Sequence, residues 1–351
     1  MQIQDLDTPA LLIDLDGLED NLDRYQAYFT RIGVGLRPHI KTHKSLAMAH
    51  MQMQRGAIGI TCQKLGEAEV MVNGGVDGDI LIPYNIMGRL KLERLTALSR
   101  RTRLTVAADS AYTVEGLSAA VSSANTKVGV VVELDQGRTG VAPAQAAELG
   151  QLIDQSPGLE LRGLMIMPSP PSLRPVLQEA LDLFDRAGLP HPIVSGGCTP
   201  FAMEAHQIPE LSEFRSGEYP TGGLKHLQGK THTVAQCALR VLTTVVSRPG
   251  PDRAILDGGS KTFSAAMAQD EQGRPSMGHI IEYPQARFTG ASEEHGNVDL
   301  SECDARPSIG ETVQIIPVHP CPCVNEHDQM VAVRGDRVEA LWPVDARGQI
   351  R

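Results

Sequence analysis

The chain has 351 residues, 41% hydrophobic and 21% charged, an ordinary balance for a protein that buries a sizeable core and exceeds one small domain. Its 32 Lys and Arg against 42 Asp and Glu leave a net charge of −10, with no basic run or interleaved aromatic stripe, which argues against nucleic acid and anionic membrane surfaces as partners. Six cysteines, scattered except for Cys321 and Cys323, exclude a secreted disulfide scaffold, and C-x-C between prolines is not a redox C-x-x-C.

The opening residues, MQIQDLDTPALLIDLD, have no basic region followed by an apolar one, and no later stretch approaches membrane-spanning length, so a cytoplasmic protein is expected. From about residue 33 short apolar runs alternate with amphipathic ones, the signature of βα units around a parallel sheet. Eight strand candidates follow in order: VGLRPHI, AIGITC, DILIPY, RLTVAA, KVGVVVEL, LELRGLMIM, PIVSG and LSEFRS. Helix candidates lie between them, among them SLAMAHMQMQR, KLGEAEVMVNGG, GRLKLERLTALSR, AAELGQLIDQS and SLRPVLQEALDLFDRAG, several ended by glycine. Repeats of this kind over roughly 200 residues predict an α/β fold, a (β/α)8 TIM-type barrel with its chemistry at the carboxyl ends of the strands; a doubly wound open sheet is the alternative. After about residue 232 come β-rich runs, HTVAQCALRVLTTVVSR, RAILDGGS, ETVQIIPV, DQMVAVRGD and RVEALWPV, parted by Gly, Pro and Asp turns with no good helix between them. The expectation is a barrel over 15–231 and a C-terminal all-β domain over 232–351, which also takes an N-terminal strand from 1–14.

One segment concentrates chemistry. In RPHIKTHK, five of eight residues carry a charge or an imidazole. If VGLRPHIK is the first barrel strand, its period of two puts Leu36, Pro38 and Ile40 on one face and Arg37, His39 and Lys41 on the other, with Thr42, His43 and Lys44 on the loop beyond. A lysine held among cations and partly desolvated has its neutral form favoured and forms Schiff bases, which points to Lys41; Lys44 reads as a solvated loop residue.

These residues resemble a known family. A lysine ending the first strand of a (β/α)8 barrel, followed by an all-β domain, is similar to the alanine-racemase-type (fold type III) pyridoxal-phosphate enzymes. More narrowly, DTPALLIDLDGLEDNL, RPHIKTHK, GITCQKLGEAEVMVNGG, VSGGCTP, DGGSKTFS, EEHG, HPCPCVNEHD and ALWPVDARG, in this order between residues 7 and 348, resemble the D-threonine aldolase and D-serine dehydratase group. The resemblance implies that Lys41 holds pyridoxal 5'-phosphate as a Schiff base, with His39 beside it, and that Gln63 in TCQK and Arg138 in ELDQGRTGV reach the cofactor. For Arg138 a surface salt bridge is the alternative. A cofactor phosphate needs N–H donors at a glycine-rich turn or helix start, which SGGCTP supplies through Gly196, Gly197, Cys198 and the Thr199 hydroxyl, with Pro200 able to begin a helix; an ordinary strand-to-helix turn is the alternative. Tyr219, in RSGEYP after the eighth strand, is a further phosphate or ring contact by family analogy, although the chain continues with PTGG where the family has an apolar and acidic stretch.

A second constellation is PVHPCPCVNEHD. On an extended strand His319 and Cys321, two apart, would point the same way, and imidazole with thiolate suits zinc or a similar metal; from spacing alone a buried histidine beside inert cysteines is the alternative. The resemblance implies a divalent metal, zinc or manganese, on H-x-C or H-x-D here, with Cys323, His327 and Asp328 as further candidates. The implied activity is that of a lyase cleaving D-β-hydroxy-α-amino acids by retro-aldol reaction to glycine and an aldehyde.

A D-serine or D-3-hydroxyaspartate dehydratase is the alternative: the cysteine at 321 is typical of dehydratases, whereas CPCVNEHD and CQKLGEAEV look aldolase-like. A racemase would need a second base, usually a tyrosine of the β domain, where Tyr283 stands alone after residue 232. A non-catalytic carrier would have no use for His319 and Cys321. GLMIMPSPPS replaces a Tyr/His-containing segment of similar enzymes, so threonine, serine, 3-hydroxyaspartate and phenylserine types remain open as small-molecule substrates. A homodimer is implied, since sites of this fold type form where a barrel meets its partner's β domain.

Overall fold

Valine-rich runs set the central sheet. KVGVVVEL becomes Val128–Leu134, buried along its whole length, as a parallel strand covered on both faces should be. The computed structural model describes residues 1–76, 78–270 and 272–351, and divides into two units.

The barrel unit comprises Arg24–Lys41, Leu46–Gly217 and Gly348–Arg351. Counting Ala10–Asp14 as β1, its strands are β2 (Gly35–Leu36), β3 (Gly59–Thr61), β4 (Asp79–Ile82), β5 (Arg103–Ala108), β6 (Val128–Leu134), β7 (Leu159–Ile166), β8 (Ile193–Gly197) and β9 (Glu213–Arg215). Every strand candidate before residue 217 thus forms, and the strands pair in the order β2-β9-β8-β7-β6-β5-β4-β3, all in parallel. A parallel bridge between His39 and Thr61 joins the two ends, so the sheet is a closed (β/α)8-type barrel and not an open one.

β2 is shorter than its apolar run because Pro38 has no N–H to give the ladder. The chain nevertheless stays tied on that side, His39 N–H donating to the Ser216 carbonyl at 2.8 Å. Leu81, Ala107, Val131, Met165 and Ile193, one from each of β4 to β8, pack together as one buried cluster. Gly163 permits this closeness: at φ 125° a Cβ would lie 2.1 Å from the Ile193 carbonyl oxygen. Outside, the helix Arg174–Arg186 buries Leu177, Ala180, Leu181 and Phe184, the spacing of one helical face.

The β unit comprises Met1–Asp23, Thr42–Ser45 and Glu218–Arg347. Its nine-stranded sheet runs Arg253–Leu256, Gly296–Asp299, Arg287–Ala291, Gly278–Ile280, Thr312–Pro317, Leu239–Gly250, β1, Gln329–Arg334, Arg337–Pro343. Pairing is antiparallel except between β1 and Gln329–Arg334. Ile3, Leu12, Leu242, Val331 and Val333 form one of its apolar clusters. A short helix at Leu224–Gln228 precedes the long strand Leu239–Gly250, and two more, at Ser260–Phe263 and Pro320–Asn325, interrupt the later strands, contrary to the expectation of no helix after residue 232. Each follows a residue that breaks a ladder or fixes φ: Gly223, Gly259, and Pro320 at its own first position. Among the described residues no helix is long and apolar enough to cross a membrane.

Candidate active site

Arg37, His39 and Lys41, which the sequence places on one face, meet three different fates, and the strand itself ends at Leu36 with Lys41 in the turn beyond. Arg37 lies deepest, donating to Glu213 Oε2 through Nε at 2.9 Å and Nη2 at 2.7 Å, and through Nη1 to the Asp79 carbonyl at 2.7 Å. Burial alone would weaken the guanidinium's charge, but Glu213 and Asp79 more than offset it. His39 Nε2 donates to Gln63 Oε1 at 3.0 Å, leaving Nδ1 as an acceptor that is buried without a partner. Burial and then the charge of Lys41 hold this imidazole well below its ordinary range, so it is neutral. Lys41 follows, half-buried, in the turn beyond the strand on its carboxyl side.

Arg215 belongs to the same group and was not singled out in the sequence. Its buried guanidinium donates to the Ile166 carbonyl at 3.1 Å and to the Ser195 hydroxyl, which in turn donates to Glu213 Oε1 at 2.6 Å. Burial pulls its pKa down to about 10 against the charges of Glu213 and Glu133. The signal was present: in LSEFRS, Glu213 and Arg215 alternate with apolar residues just as Arg37, His39 and Lys41 do.

A cavity of about 540 Å³ opens at the carboxyl ends of β3, β4 and β6, lined by Gln63, Tyr84, Asn85, Lys91, Glu133 and Arg138 among others. Asn85 Oδ1 is buried there without a partner. Burial holds the Glu133 carboxyl above the usual range. The structure therefore brings Gln63 and Arg138 to one cavity, with Gln63 linking it to His39.

The SGGCTP turn is differently employed. The Gly197 amide donates to Ser169 Oγ at 2.8 Å and the Cys198 amide to the Arg215 carbonyl at 3.1 Å, while a Cβ at Gly196 would lie 2.8 Å from Ser169 Oγ. Those two amides serve the barrel itself. The Thr199 hydroxyl, 2.9 Å from that of Ser216, and the 3₁₀ helix Thr199–Gln207 with Pro200 in its first turn are the groups suited to a phosphate. Tyr219 lies in the β unit, fully buried, its carbonyl accepting from His232 Nε2 at 3.0 Å. A half-buried lysine just past β2, a buried guanidinium and a polar cavity of ligand size fit an anionic ring cofactor, whose ring N–H could satisfy a buried acceptor such as His39 Nδ1 or Asn85 Oδ1.

In the β unit, Glu218, His319 and Cys321 bring one ligand atom each within 4.8 Å of one another. His319 Nε2 lies 3.0 Å from Glu218 Oε1, and Cys321 Sγ 3.7 Å from the same oxygen. Hydrogen bonds first to Cys321 and then to Glu218 raise the imidazole to about 10. Imidazole, thiolate and carboxylate together suit zinc or a similar divalent ion.

His319 and Cys321 do not share an extended strand, as the spacing suggested. His319 precedes the helix Pro320–Asn325, and Pro320 turns the chain so that Cys321 lies in its first turn. Thr42 Oγ1 lies 3.2 Å from Cys321 Sγ. Cys323 Sγ and His327 Nε2 both go to the Thr262 carbonyl, at 3.4 and 3.0 Å, and burial pushes the Cys323 thiol well up, so neither joins the cluster. Asp328 pairs with Arg347. Lys44 is buried and donates to Asn325 Oδ1 at 2.7 Å, not solvated as a loop lysine would be. No local pattern announced Glu218, which lies 103 residues from Cys321.

The family model for the alanine racemase N-terminal domain matches residues 13–224, and one for a serine dehydratase domain matches 238–333. D-threonine aldolase of Arthrobacter sp. is 33% identical over 362 residues, covering 98% of this chain and 93% of that protein. The chain belongs to the D-threonine aldolase and D-serine dehydratase group of alanine-racemase-type enzymes. The D-threo-3-hydroxyaspartate dehydratase of Delftia sp. strain HT23 is also similar, 28% identical over 376 residues and covering 96% of this chain and 97% of that protein. The crystal structure of D-threonine aldolase from Filomicrobium marinum superposes with a TM-score of 0.87 at 32% identity, covering 99% of this chain and 98% of that one. This aldolase and dehydratase group consists of lyases in a pyridoxal-phosphate-dependent fold family.

Proposed function

We propose that the protein is a pyridoxal-phosphate- and divalent-metal-dependent lyase that cleaves D-β-hydroxy-α-amino acids between Cα and Cβ, giving glycine and an aldehyde, and that it acts as a homodimer. The observation that carries this reading is the Glu218, His319 and Cys321 cluster, for which a racemase or a cofactor carrier has no use. The likeness to D-threonine aldolases over nearly the whole chain supports the carbon–carbon cleavage.

When bound, the cofactor would withdraw electrons from the bond broken at Cα and the metal would polarise the β-hydroxyl, whose proton passes to solvent as the aldehyde forms. Lys41 Nζ anchors the cofactor, yields to the substrate amine and delivers the proton that Cα needs to become glycine. Neutral His39, fixed by Gln63, adds no further positive charge beside it. Arg215, held by Ser195 and the Ile166 carbonyl, presents an oriented guanidinium inside the barrel. Arg138, in the cavity, reaches toward the cofactor, and His319 with Cys321 holds the ion.

A second reading is favoured by Cys321: a thiolate ligand accords with a dehydratase, in which Lys41 removes the α-proton and the β-hydroxyl leaves. The products separate the two. Purified enzyme incubated with D-threonine, D-serine and D-3-hydroxyaspartate should release glycine with an equimolar aldehyde from at least one of them. A keto acid and ammonia, with no glycine from any, overturns the aldolase reading.

A further inference from the structure

The segment EYPTGGLKH after β9 brings further groups to the cluster of His319 and Cys321. Glu218 opens it. Gly223, at φ 153°, lets the turn approach the helix that carries Cys321 so closely that a Cβ there would lie 2.8 Å from Pro320 Cδ. The short helix Leu224–Gln228 that follows delivers His226.

His226 is 4% exposed, and neither ring nitrogen has a hydrogen-bond partner. Its Nδ1 stands 3.4 Å from Glu218 Oε2, while Glu218 Oε1 is the oxygen shared with His319 and Cys321. A buried imidazole left unpaired at this distance is costly unless the carboxylate shifts toward it. His232 stacks edge-on against His226 at 5.2 Å between centroids and pins the Tyr219 carbonyl, which fixes the backbone next to Glu218.

We propose that Glu218 is a protein ligand of the divalent metal in this chain, acting with His319 and Cys321 through Oε1, and that His226 is the positioning residue that donates from Nδ1 to Oε2. The inference rests on the reading of His319 and Cys321 as metal-binding and extends it. Donor atoms of a tetrahedral zinc lie on the order of 3–4 Å apart, the range in which Glu218 Oε1 already stands from its two neighbours. Three protein ligands leave one position open for a substrate oxygen, the arrangement of a catalytic ion. Carboxylate and thiolate together balance the ion's double charge, so this chain holds its metal more tightly than a two-ligand site would. An imidazole that orients a ligating carboxylate does so from outside the ion's own shell.

The test uses the full-length, cofactor-loaded enzyme after metal removal, with Co²⁺ as spectroscopic probe and Zn²⁺ affinity measured by competition with a chelating dye. Glu218→Gln should weaken Zn²⁺ binding by about 100-fold or more and alter the Co²⁺ d–d bands while keeping the sulfur-to-cobalt band of Cys321. His226→Phe should weaken it by about 10-fold, and His226→Asn, which keeps a donor, should restore most of the loss. Unchanged Zn²⁺ affinity and unchanged d–d bands in Glu218→Gln overturn the proposal. Should that variant fail to fold, Glu218→Asp serves: its shorter carboxylate should shift the d–d bands, and bands identical to the parent's overturn the proposal equally. His319→Ala separates the two levels, since metal retained in that variant removes the whole site, whereas metal unaffected only by Glu218→Gln removes Glu218 alone.

Discussion

Arg37, His39 and Lys41 show how partners decide what a basic residue can do. Arg37 has two carboxylate-bearing neighbours and is spent on structure. His39 has an amide neighbour and is kept neutral by burial. Lys41 is the one left half-exposed beyond the strand's end. On reconstitution with pyridoxal 5'-phosphate, Lys41→Ala should lack the visible absorbance of lysine-bound cofactor, and Lys44→Ala should retain it, because Lys44 is committed to Asn325. Absorbance lost in Lys44→Ala and kept in Lys41→Ala would reverse the assignment. Period-two alternation set Lys41 apart from Lys44 as an expectation, which these two variants test. The burial of Lys44 was not legible, because its partner lies 281 residues along the chain.

At the scale of elements, Arg37 and Glu213 fasten β2 to β9 by a buried pair. Burial pushes the Glu213 carboxyl up, but the charge and hydrogen bonds of Arg37, with the Ser195 hydroxyl, bring it below the usual range. A depressed carboxyl stabilises the fold above its unfolded pKa and loses that contribution as pH falls through the folded value. Unfolding midpoints should therefore drop as pH falls below the ordinary carboxylate range, and Glu213→Gln should lessen this pH dependence while costing about 3 kcal/mol at neutral pH, because buried Arg37 keeps only its longer pair with Asp79. Urea titrations of both proteins across that pH range check it. The strands themselves were readable from apolar runs such as KVGVVVEL, since burial on both faces leaves a continuous signal. The helix at Pro320–Asn325 was not, because six residues are too few for a periodic pattern and its proline also suits an extended strand.

At the scale of the whole molecule, Lys41, the proposed cofactor lysine, and the proposed metal ligands Glu218, His319 and Cys321 belong to different units, each with an apolar core of its own. Metal removal should then abolish turnover while the absorbance of lysine-bound cofactor persists; a chelator that discharges the cofactor as well would show the two to be one binding event. The seam of the barrel has a consequence for the order of assembly. The ring is stitched there by few backbone bonds, Ile58 N–H to Leu36 at 3.0 Å, Thr61 N–H to Pro38 at 2.7 Å and Ile40 N–H to Thr61 at 2.9 Å, the last of them immediately before Lys41. Until those few stitches are made Lys41 has no fixed place, so on the reading proposed above a half-built chain could not hold an aldehyde cofactor in the right pose, and closing the ring would be what arms the lysine.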